Sequence, residues 1–89
     1  MLEDVKRNLG ITGNFLDDTI NGYIKEVKDF LLDGGVPEKI IESEKAIGVI
    51  TRGVSDLWNY GSGGTSFSPY FLQRATQLSL KKNKEDNDE

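Results

Sequence analysis

Cysteine and histidine are both absent from this 89-residue chain. Their absence excludes thiol nucleophiles, disulfides, thiolate or imidazole metal ligands and the ordinary proton shuttle of neutral pH. No apolar run approaches the roughly 20 residues that span a bilayer, and Met1-Leu2-Glu3-Asp4 lacks the basic and apolar stretches of a signal peptide, so a soluble chain is expected. Basic residues are outnumbered 11 to 15, for a net charge of −4. They form no block, which disfavours tight non-specific binding to duplex DNA. Only two prolines interrupt the chain, and no segment alternates with the period of two that marks a strand. A chain of this length forms one domain that hides only somewhat over about 60% of its unfolded surface, so the core is small.

What is present reads as helices and their punctuation. Leu2, Val5 and Leu9 recur at spacings of three and four, and Gly10 suits a left-handed C-cap. A helix of two turns is unstable alone and must dock on something larger. Asn14 is a suitable N-cap for a second helix, with Asp17 at its third position and Asp17-Asp18 matching the positive helix start. Leu16, Ile20, Tyr23, Ile24, Val27, Phe30 and Leu31 then share about 120° of arc, with Lys25, Lys28 and Asp29 facing away, up to a stop at Gly34-Gly35.

Val36 before Pro37 is pushed toward an extended conformation, and Pro37 fits a first helical position. Ile40, Ile47, Val54 and Trp58 form a stripe, widened by Ile50 and Leu57, that predicts one central helix from Pro37 to Tyr60, about 36 Å long. Thr51 lies at the stripe's edge, where its hydroxyl can bond back to the Ile47 carbonyl. Gly48 and Gly53 each cost this helix about 1 kcal/mol relative to alanine, which points to close packing within the subunit ahead of approach by a neighbouring one. Ser68 and Pro69 open a last helix with Phe71, Leu72, Ala75 and Leu78 on its apolar side.

The expected fold class is therefore all-α, a small bundle of about four helices in the order short, long, long, short. It occupies residues 1–80. Residues 81–89, Lys81 to Glu89, have no apolar group to bury and predict a disordered charged tail.

Candidate chemistry is thin. Glu42 and Glu44 differ by about 200° around a helix and cannot converge on one ion, and Asp17-Asp18 is explained by helix-start electrostatics. No metal or other cofactor is expected, because oxygen-ligand sites need several converging groups. Gly61-Ser62-Gly63-Gly64-Thr65-Ser66 lacks the lysine of a phosphate-binding loop and the preceding strand of a dinucleotide fingerprint, so it reads as a linker. Ser62, Thr65, Ser66 and Ser68 have no activating base nearby in sequence, so no enzyme activity is expected.

Surface contacts are the remaining source of function. Trp58, Tyr60, Phe67, Tyr70 and Phe71 crowd around the glycine linker; Trp58 and Phe71 are expected in the core, while Tyr60, Phe67 and Tyr70 suit either a core cap or a contact patch. Val49 projects from a charged face with Glu42, Lys45, Arg52 and Asp56, and Leu32 also faces away from its stripe. The candidate protein interface is thus Leu32, Val49, Tyr60, Phe67 and Tyr70.

The order of these pieces resembles the phage head-tail connector family, the head-completion or adaptor proteins of tailed phages and prophages. The resemblance lies in Leu2-Glu3-Asp4-Val5-Lys6 with Leu9 and Ile11, then Asp17-Asp18 leading Ile20 and Ile24, then a long helix ending Leu57-Trp58-Asn59-Tyr60. It covers most of residues 1–80 and leaves 61–67 and 81–89 without a counterpart. It implies a structural virion protein, assembled in the host bacterial cytoplasm, that forms a homo-oligomeric ring of about twelve subunits below the portal. Its implied partners are further copies of itself, the portal protein and a tail-completion protein. DNA would pass through the ring without specific binding, as the acidic balance suits. The linker and tail would order on assembly. The alternatives are a small helical regulatory module or a partner-binding adaptor in a bacterium, with a peptide groove built on Trp58, Tyr60 and Phe67.

Overall fold

The computed structural model describes residues 1–60 and 67–87, with side chains described for 1–59 and 67–80. Every regular element among them is helical: α1 Leu2–Leu9, α2 Asp17–Asp33, α3 Glu38–Ile41, a 3₁₀ turn Glu44–Ala46, α4 Ile47–Tyr60 and α5 Pro69–Asn87. The all-α expectation holds. None of these helices is long and apolar enough to cross a membrane.

Two helices end by the same device. At α1, Gly10 takes φ 73°, its N–H bonds to the Arg7 carbonyl at 3.2 Å, and the Ile11 N–H bonds to the Lys6 carbonyl at 2.9 Å. At α2, Gly35 takes φ 97°, its N–H bonds to the Leu32 carbonyl at 3.1 Å, and the Val36 N–H bonds to the Leu31 carbonyl at 3.0 Å. Both are Schellman caps, in which a residue free to adopt positive φ lets the chain return on itself and satisfy the last carbonyls. Val36 and Leu31 are both buried, the apolar contact that accompanies this motif.

The second helix starts differently from its sequence reading. Asp17 is its first residue and not its third, and Leu16 occupies the N-cap position with no side-chain cap. Asn14 contributes only its backbone carbonyl, which accepts from the Asp17 N–H at 3.3 Å. The apolar face is as read: Ile20, Ile24, Val27 and Leu31 are buried, with Leu16, Tyr23 and Phe30 packed at the edge.

The single helix expected from Pro37 to Tyr60 is interrupted. Pro37 caps α3 in an extended conformation just before Glu38, and Ser43 is extended again at φ −91°, ψ 167°. The Ser43 hydroxyl donates to the Ile40 carbonyl at 2.7 Å and accepts from the Lys45 N–H at 3.3 Å, closing one helix and opening the next. Serine competes for backbone groups in this way, so it favours caps over helix interiors.

The interruption goes with a partly rotated buried face on α4: Ile50, Val54 and Leu57 of the expected stripe are fully buried, while Ile47 is half-buried. The centre of this face is Ile50, Gly53 and Leu57, all buried and within about 60° of arc at 100° per residue, with buried Ala46 closing the 3₁₀ turn just before the helix. Val49, Val54 and Asp56 flank them and are also buried. Trp58, expected in the core, lies outside this arc, 43% exposed, with its ring edge-on to Tyr23 at 6.2 Å between centroids. Gly53 explains the choice of face. A Cβ there would lie 2.8 Å from both Phe71 Cε1 and Val27 Cγ2, so α2 and α5 close on α4 only because that atom is missing. Gly48 has open space where its Cβ would be, and packing within the subunit does not account for it.

Around α4 the other elements are layered. α2 covers one side, α1 and α5 pack on it as well, and α3 leans on α2. The Asn8 amide donates to the Thr51 hydroxyl at 3.3 Å, tying α1 to α4. Phe30, Phe67 and Phe71 form an aromatic cluster between α2 and α5, with Phe67 and Phe71 stacked at 4.5 Å. Ser68 caps α5 as read, its hydroxyl accepting from the Phe71 N–H at 3.1 Å. Helix α5 runs past Leu80, the expected end of the folded unit, and among the described side chains its last core residue is Leu78. The tail expected over 81–89 lies outside the residues whose side chains are described.

Candidate interaction surface

The five candidate interface residues part company. Leu32 is 49% exposed on the outer side of α2, beside a groove whose other walls include Lys28 and Glu42, themselves ion-paired at 3.0 Å. Tyr70 is 54% exposed at the start of α5, with the Arg52 guanidinium over its ring at 5.1 Å. Val49 does not face solvent: it is 3% exposed, because the buried face of α4 is rotated toward it. Phe67 belongs to the aromatic cluster and is a core cap. The side chain of Tyr60 and all of residues 61–66 lie outside the described residues, and the readings of Ser62, Thr65 and Ser66 with them.

Asp56, expected on a charged surface, is buried and organises the start of α5. Its Oδ2 accepts from the Ser68 N–H at 3.0 Å and from the Ser68 hydroxyl at 2.9 Å, while its Oδ1 pairs with Arg52 Nε at 3.4 Å. A carboxylate buried this far needs partners of this kind. The chain Arg52, Asp56, Ser68, Phe71 N–H carries charge from the surface to a helix start, where negative charge is favoured. The Ser68 hydroxyl is spent on this cap, so its role is structural. Sequence order gives no hint of it, because Asp56 and Ser68 are brought together across the linker.

A second polar arrangement was also hidden. Lys6 is buried on α1 with its side chain 8% exposed, and its ammonium pairs with Asp17 Oδ1 at 2.8 Å and donates to the Gly13 carbonyl. One ammonium therefore holds the chain on both sides of Asn14, Phe15 and Leu16. At the tip Phe15 is 95% exposed, the largest exposure of any bulky apolar side chain described. The signal in the sequence was an aromatic residue directly after the polar stretch Thr12-Gly13-Asn14. Leu72 and Leu80 add further exposed apolar surface on α5, although Leu72 was expected to face the core.

Among the described residues no three acidic side chains converge into a group able to hold a metal ion. The polar clusters are caps and clamps, and the exposed chemistry is apolar and aromatic. Such an arrangement can bind a macromolecule, since aromatic anchors dominate protein interfaces.

No curated protein and no solved structure matches the chain. The family model for the phage gp6-like head-tail connector protein matches residues 1–87, nearly its whole length. That family is structural and not enzymatic, and its members join the phage head to the tail. The chain belongs to the phage gp6-like head-tail connector family, and is a structural component of the virion.

Proposed function

We propose that this chain forms a homo-oligomeric ring of about twelve subunits below the portal, extending the DNA conduit and presenting a face to a tail-completion protein. The observation that carries this reading is the extent of the family match, residues 1–87, which takes in every helix described. The net charge of −4 supports a conduit wall along which DNA slides without specific binding. Assembly in the host bacterial cytoplasm, before the tail joins, follows from that role.

Leu32 and Tyr70 stand on the surface and belong to the proposed contacts with neighbouring subunits or the portal. Val49 and Phe67 serve the subunit's own core.

Deleting the gene from the phage or prophage that encodes it tests this function. The expected result is DNA-filled heads and free tails that fail to join, with joining restored by the gene supplied in trans. Infectious, fully assembled particles without the protein would contradict it.

A further inference from the structure

We infer that Phe15 is the knob of a head-to-tail contact, seated in the groove between α2 and α5 of a second copy of this chain. The inference rests on the ring reading above and adds to it which surfaces meet.

Phe15 serves no purpose within its own subunit, being 95% exposed. Its loop is nonetheless held firmly, by the Lys6 ammonium on the Gly13 carbonyl before it and on the Asp17 carboxylate after it. A buried ion pair is costly to form. Here it fixes a loop whose tip carries an unpartnered aromatic ring, and fixing an anchor in advance lowers the ordering cost of binding.

The groove lies where α2 ends. It has a volume of about 280 Å³ and is lined by Phe30, Leu31, Val36, Leu72 and Ala75, with Ser79 at its end. That is room for one aromatic side chain. The knob precedes the first residue of α2 and the groove flanks its last turn, so the 17 residues of that helix hold them about 25 Å apart. Phe15 cannot reach its own groove. Two copies therefore meet through different patches, and every copy keeps a free knob or a free groove for the next, the heterologous geometry that closes into rings.

The test is sedimentation of Phe15→Asp, Leu72→Asp and their equimolar mixture, each with helicity and thermal unfolding recorded; Phe15→Ser and Leu72→Ser serve in place of either variant that fails to fold. Each variant alone is expected to stay monomeric at concentrations at least tenfold above those at which the wild type assembles. The mixture is expected to stop at a dimer, pairing the intact groove of one variant with the intact knob of the other. Wild-type assembly by Phe15→Asp, or rings of that variant that fail only to bind portal, overturns the contact and leaves the ring reading standing. A wild-type chain that stays monomeric at every concentration, with portal or without, overturns both.

Discussion

Gly48 and Gly53 look alike in the sequence and differ in the folded chain. Gly53→Ala forces a methyl group against Val27 and Phe71, both fully buried, and overpacking of this kind costs about 1–3 kcal/mol, more than the helix-propensity gain of about 1 kcal/mol. Gly48→Ala meets nothing and should stabilise the isolated chain by about 1 kcal/mol. Urea unfolding of the two variants beside the wild type separates them, with midpoints moving in opposite directions. Asp56 and Ser68 make a second residue-scale case. Asp56→Ala takes the acceptor from both the Ser68 N–H and its hydroxyl and should cost about 1–3 kcal/mol, whereas Ser68→Ala removes the cap on the Phe71 N–H but leaves Asp56 its backbone and Arg52 partners and should cost about 1 kcal/mol. Because they share one network, the double variant should lose less than the sum, which a double-mutant cycle measures directly.

At the scale of elements, what was legible in the sequence is what depends on neighbours along the chain. The limits of α1, the apolar face of α2, the glycine stops and the Ser68 cap are written in local residues, and the folded chain has them. The face of α4 was legible only in part: Ile50, Val54 and Leu57 are buried as read, but the face turns toward Gly53, whose small size gives no hydrophobic signal. What closes over Gly53 is the approach of Val27 and Phe71 from other helices. The same error placed Val49 and Asp56 on the surface and Trp58 inside. The split of the long helix did have a sign, the serine in Glu42-Ser43-Glu44, which reads as an N-cap once a helix start is admitted there. Ser43→Ala should cost about 1 kcal/mol, seen as a lowered urea midpoint with little loss of helicity. The Lys6 clamp spans two elements, and sequence could not pair Lys6 with Asp17 because Asp17 already had a sufficient explanation at its helix start.

For the whole molecule, the order of elements proved more informative than any residue in it. Each motif is made of common residues with local explanations, yet their succession from Leu2 to Tyr60 pointed to the connector family that matches residues 1–87. The interface was less legible than the fold. Leu32 and Tyr70 are exposed as read, but the exposure of Phe15, the largest of any bulky apolar side chain described, was not legible, because exposure at a loop tip depends on how the loop is held. A structural connector needs no active site, only surfaces that meet their counterparts in the right order. The mass of the purified chain, measured over a range of concentrations with and without portal protein, tests this most directly. A discrete closed ring that binds portal is the predicted result, and a strictly monomeric chain indifferent to portal would contradict it.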